Sequence, residues 1–144
     1  MPAAAEAFSG SCLCGACVYR IDGEIEPAGV CHCEDCRKVT GGPFGVSFPV
    51  PRDRFSMDGT TATYAKAADS GVMLTRHFCP SCGSPLYTES TGRPEVVYVK
   101  AGTLDQPAAI RIERQSWTAS QVDWASIPTG IASYRKDAAN ALDT

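Results

Sequence analysis

Seven of the eight cysteines in this 144-residue chain fall into three close-set groups: Cys12-Leu-Cys14, Cys31-His-Cys33-Glu-Asp-Cys36 and Cys79-Pro-Ser-Cys82. Two groups offer a pair of sulfurs and one offers three. Thiolates at such spacing are ligands for a soft or borderline cation, zinc above all. A structural zinc site takes four protein ligands, whereas a catalytic one keeps three and leaves a corner for water or substrate. The two pairs can make one closed site, and the trio can make one open site.

Three thiolates leave a zinc ion net negative and therefore poor at ionising water. Such an ion is better suited to another thiol, which loses its proton on coordination and stays nucleophilic. The trio thus points to a thiol substrate. The same residues also admit a closed second structural site, with Cys17 or Asp35 as fourth ligand. Spacing alone further permits two three-cysteine sites, because Cys12-x-Cys14-x-x-Cys17 repeats the interval of Cys31-x-Cys33-x-x-Cys36. Alternation argues against Cys17 as a ligand: it shares a strand face with Tyr19 and Ile21 and reads as core. His32 reads as a supporting or exposed residue, since neighbours in sequence rarely reach the same ion. His77 reads as structural or surface. In the Cys79–Cys82 half-site, Gly83 can take the positive φ that follows the turn.

The elements that must carry these groups show a period of two. Residues 17–21 and 44–50 alternate, and Pro49 predicts an edge or a strand end. Further strands are expected over 61–65, 72–78, 86–89, 96–100 and 109–112, separated by turns such as Asp22-Gly23, Asp58-Gly59 and Ser70-Gly71. Many short strands with Gly/Pro turns predict a mainly β, antiparallel domain with little helix. One helical turn is expected over 33–39, and a terminal helix or tail over 134–142. The domain plan is a flexible N-terminus (1–9), a zinc domain (10–130) and a C-terminal tail (131–144).

Thirteen basic and sixteen acidic side chains give a formal charge of −3, and no Lys/Arg run is present, which argues against nucleic acid as a partner. Residues 1–10 have neither a cationic start nor an apolar stretch of signal-peptide length, and no segment approaches a membrane span. The expectation is a reducing, cytoplasmic setting, in which clustered thiols bind metal; the rival is a framework of four disulfides.

Gly10-Ser-Cys-Leu-Cys-Gly-Ala-Cys-Val-Tyr19, Cys31-His-Cys-Glu-Asp-Cys-Arg-Lys-Val-Thr-Gly41 and Arg76-His-Phe-Cys-Pro-Ser-Cys-Gly-Ser84 resemble the glutathione-dependent formaldehyde-activating enzyme (Gfa)/centromere protein V family. The resemblance extends to Trp117-Thr-Ala-Ser120 and Trp124-Ala-Ser-Ile-Pro128, with Gln115 and Ser116 standing where the family often has a histidine. It implies a Mss4-like, mainly β fold with two Zn2+ ions. Cys12, Cys14, Cys79 and Cys82 would hold the structural zinc, and Cys31, Cys33 and Cys36 the catalytic one. The implied activity is that of a carbon–sulfur lyase condensing glutathione, or a similar thiol, with formaldehyde or another small carbonyl. Arg37, Lys38, Arg52 and Arg76 are candidates to grip the carboxylates of glutathione. The alternative is a non-catalytic zinc module that binds a thiol ligand or a protein, since fold alone does not fix function.

Overall fold

The protein is described by a computed structural model covering residues 7–127 and 130–136. In chain order its strands are β1 (Ala7–Ser11), β2 (Val18–Asp22), β3 (Ala28–Cys31), β4 (Gly45–Pro51), β5 (Phe55–Asp58), β6 (Ala62–Ala67), β7 (Met73–Phe78), β8 (Pro85–Ser90), β9 (Val96–Lys100), β10 (Ile112–Ser116) and β11 (Ala132–Ser133). One α-helix, α1 (Glu34–Thr40), follows β3. The fold is mainly β and rich in antiparallel pairs, as the sequence predicts. It divides into two compact units.

The first unit comprises the chain up to Glu26 together with Phe48–Ala109. It holds an antiparallel sheet in the order β1-β2-β5 and the run β9-β8-β7-β6. Alternation along β2 is realised as expected: Cys17, Tyr19 and Ile21 are buried, while Val18 and Arg20 face outward. Tyr19 donates or accepts one hydrogen bond with the Thr103 hydroxyl at 2.8 Å, and Phe55 stands between the Tyr19 and Tyr87 rings. Gly10 opposes Tyr19 across β1 and β2, and a Cβ there would collide with the Tyr19 ring and the Thr103 carbonyl.

The second unit comprises Pro27–Ser47 and the chain from Ile110 onward, with strand order β11-β10-β3-β4. The first residues of β4 belong here and the rest belong to the first unit. Strand β3 runs antiparallel to β4 but parallel to β10, and β10 is parallel to β11. Ala28, Val30 and the following His32 form its buried face, with Gly29 and Cys31 on the opposite, half-exposed face.

Several expectations are corrected. Part of the flexible segment 1–9 is ordered: Ala7–Ser11 pairs residue for residue with β2. Within the expected C-terminal tail, Ala132 and Ser133 add to the β10 edge; residues 137–142 of the expected terminal helix lie outside the described residues. The strand placed at 109–112 begins at Ile112 instead, after a 3-10 turn over Pro107–Ala109, and its polar end Arg-Gln-Ser pairs with β3. Pro49 is buried within β4 and does not end it; pairing with β3 stops at Ser47, so β3 requires no donor from Pro49. The helical turn after Cys33 is present as α1. No helix among the described residues is long and apolar enough to cross a membrane.

Candidate metal centres

The sulfurs of Cys12, Cys14, Cys79 and Cys82 lie within 4.8 Å of one another, all in the first unit. A tetrahedral ion with metal–sulfur bonds of about 2.3 Å sets its sulfurs about 3.8 Å apart. The Cys12–Cys14 and Cys14–Cys79 pairs stand at 3.7 Å, so the group can hold such an ion. Two turns shape it. Cys17 N–H points at the Cys12 sulfur (3.3 Å) and Ser81 N–H at the Cys79 sulfur (3.4 Å). Gly83, at φ 79°, lets its own N–H return to the Cys79 carbonyl, a conformation costly for any residue with a Cβ. Ser84, given no role by the sequence beyond closing the third motif, joins the two turns: its oxygen accepts from Leu13 N–H (3.0 Å) and stands 3.2 Å from the Cys82 sulfur.

Electrostatics explain why this group calls for a cation. The Ser84 hydroxyl, then the backbone of Ser84 and Cys14, brings Cys82 down to about 5. Cys14 goes the other way: although the Ala16 backbone lowers it, the Cys12 and Cys79 sulfurs push it up to about 12. Four crowded sulfurs cannot all ionise alone, and a divalent ion held among them would supply the missing charge.

Cys31, Cys33 and Cys36 also bring their sulfurs within 4.8 Å of one another, in the second unit. Cys31 ends β3, while Cys33 caps α1 with its sulfur accepting from Cys36 N–H at 3.3 Å. Strand and helix thus fold the three sulfurs onto one side. Gly45, opposite Cys31 on β4, lies beneath the helix: a Cβ there would be in ordinary contact with the Cys36 side chain, 3.7 Å from its sulfur. Cys33 and then Cys36, followed by burial, drive the Cys31 thiol far above its ordinary value. Among the described residues no fourth Cys, His or carboxylate joins this group; neither Cys17 nor Asp35 belongs to it. Cys17 is core, 1% exposed, with its thiol directed at the Thr60 carbonyl.

His32, between two of these cysteines, is fully buried, and its Nε2 lies 2.8 Å from Gln115 Oε1. A directed chain fixes the proton. Ser133 O–H donates to the Ile131 carbonyl, Gln115 Nε2 donates to Ser133 Oγ at 2.8 Å, and Gln115 Oε1 therefore accepts from His32 Nε2–H. The other nitrogen, Nδ1, is an acceptor with no partner among the described residues. His32 N–H also donates to the Ser116 carbonyl, so β10 grips the loop between Cys31 and Cys33. The sequence marked Gln115 only as standing in place of a histidine.

His77 is structural: it stacks on Tyr87 at 4.1 Å, bonds Thr61 through Nδ1 and faces Glu89 through Nε2. Of the candidate cations, Lys38 pairs with Glu34 and Arg52 with Glu89; Arg76 is buried on β7. Arg37 stands on α1 beside Cys36.

Residues 7–120 match the family described as glutathione-dependent formaldehyde-activating enzyme. A Halomonas elongata protein named as a putative glutathione-dependent formaldehyde-activating enzyme is 29% identical over 83% of this chain and 80% of its own. An uncharacterized lyase of Schizosaccharomyces pombe is 29% identical over 65% of this chain and 66% of its own. A crystal structure of a Rhodobacter sphaeroides protein shares the fold, with a TM-score of 0.52 and 21% identity over 67% of this chain and 87% of that one. With its cysteine groups assembled and most of its length matched, this chain belongs to the glutathione-dependent formaldehyde-activating enzyme family.

Proposed function

We propose that the protein is a zinc-dependent carbon–sulfur lyase that joins glutathione, or a similar thiol, to formaldehyde or another small carbonyl. The observation that carries this reading is the unequal sulfur count: four in one group, three in the other, and, among the described residues, no fourth ligand beside the three. Cys12, Cys14, Cys79 and Cys82 would hold a structural zinc, and Cys31, Cys33 and Cys36 a catalytic one. A zinc ion at the trio would supply thiol ionisation at neutral pH and a fixed position for the sulfur.

The remaining work falls to the chain. Cys31, Cys33 and Cys36 present their sulfurs from one strand end and one helix start, which fixes where the substrate sulfur docks. The His32–Gln115 bond and the His32 N–H to Ser116 bond keep that loop from shifting. In the reaction the thiolate adds to the carbonyl carbon: one carbon–sulfur bond forms, the C=O π pair moves to oxygen, and that oxygen takes up a proton. Holding the two reactants together is the main source of acceleration.

The test is NMR exchange spectroscopy of glutathione, formaldehyde and S-(hydroxymethyl)glutathione at equilibrium. Zinc-loaded protein is expected to speed interconversion in proportion to its concentration. Exchange no faster than in buffer would overturn the lyase reading.

A further inference from the structure

The face of the second unit's sheet that carries the trio is lined by small residues, with Cys36 and Thr40 of α1 against Gly45. Register places Gly29, Cys31 and the loop to Cys33 on this face of β3. Opposite them on β4 are Ser47 and Gly45, and on β10 Arg114 and Ser116. Two contacts follow from this register. Gly45, which pairs with Cys31, lies against the Cys36 sulfur, and Gln115, which pairs with Val30, bonds His32 on the opposite face. Two glycines and two serines therefore line the sheet beside the sulfurs, and Arg114 is the one charged side chain in that set.

Arg114 is laid down deliberately close. Its Nε, Cγ and Cζ would stand 3.0, 3.2 and 3.2 Å from a Cβ at position 29, so a larger residue there would push the Arg114 side chain aside. Among the described residues its polar contact is one long bond, Nη1 to the Pro27 carbonyl at 3.5 Å, and no carboxylate pairs with it. Among the described residues most of its five donors are uncommitted. The guanidinium, over Gly29 and reaching the Pro27 carbonyl, stands two to four residues before Cys31, on the order of 7–13 Å along a strand. In an extended thiol peptide, a carboxylate one to two residues beyond the sulfur lies at a similar distance.

We propose that Arg114, cradled by Gly29, is the residue that binds a carboxylate of the thiol substrate. The trio would take the sulfur and Arg114 would take the acid, which selects a thiol peptide with a free carboxylate over a neutral thiol. This inference rests on the thiol-substrate reading above.

The test is a titration of the cobalt-loaded full chain, read by its visible absorption, with glutathione and with glutathione diethyl ester. The unaltered protein should bind glutathione more tightly than the ester, and Arg114→Gln should weaken glutathione by roughly 10- to 100-fold, the loss of a charge-assisted pair. The ester should bind both proteins alike, so the two changes do not add. Gly29→Ala, which shifts the guanidinium without touching a ligand, should weaken glutathione in the same direction as Arg114→Gln but by less, and leave the ester unchanged. Equal weakening of glutathione and ester would show a general charge effect on the metal and overturn the inference, as would no weakening of either; both leave the lyase reading intact. A cobalt spectrum unmoved by either thiol in the unaltered protein would overturn the inference and the lyase reading together.

Discussion

Replacing Gln115 by Leu tests how β10 supports the trio from behind. The substitution preserves bulk but removes the one acceptor on His32 Nε2, at 2.8 Å, from a ring that is fully buried and whose Nδ1 already has no partner. Ser133, the other partner of Gln115, is exposed, so water replaces that bond at little cost. What remains is a buried N–H without an acceptor, which costs about 1–3 kcal/mol. Unfolding entropy near 2.1 cal/mol/K per residue makes a chain of this length lose about 3–10 °C in melting temperature for that penalty. The penalty falls beside Cys31 and Cys33 and far in sequence from the other four cysteines. Metal affinity at the trio should therefore drop about tenfold, as for other groups that orient ligands, while the four-sulfur site is unchanged. Differential scanning calorimetry of the metal-loaded protein and competitive chelation measure the two effects. A melting shift under about 1 °C, or equal weakening of both sites, would refute the reasoning.

Three further outcomes follow from the packing. Cys33→Ser should abolish activity while leaving a folded protein, whereas Cys82→Ser should lose the fold, because a structural metal of this kind contributes about 10–16 kcal/mol in small zinc peptides; circular dichroism and melting curves compare them. Cys17→Ala should cost about 1–2 kcal/mol for a small cavity in the core and leave metal content, by mass spectrometry, the same as in the unaltered protein. Gly10→Ala should cost about 3 kcal/mol, since its Cβ would land on the Tyr19 ring and the Thr103 carbonyl, and an unchanged melting temperature would contradict that.

What the sequence makes legible here follows from the range of each signal. Alternation is local, so Cys17-Val-Tyr-Arg-Ile reads at once as a strand with Cys17 inward. Ligand spacing is local too: each turn holds its own pair or trio of sulfurs, and counting them anticipates both groups. Polar strands escape notice because their pairing is not local. The Glu-Arg-Gln-Ser end of β10 has no apolar alternation, yet it lies parallel to β3, more than eighty positions away in sequence, and supplies both Gln115 and Arg114. Strand β1 is hidden for the same reason: its partner β2 fixes it, not its own residues. Ser84 was visible only as part of a motif, since its role depends on Leu13 arriving from the other turn.

The division between a four-sulfur group and a three-sulfur group is tested most directly by cadmium NMR of the fully substituted protein titrated with glutathione. Two resonances are expected, one typical of four thiolates and one of fewer, and only the second should move, toward the first, as glutathione supplies a fourth sulfur. Two resonances that both stay fixed at saturating thiol, or that both begin at the four-thiolate position, would contradict an open position at Cys31, Cys33 and Cys36.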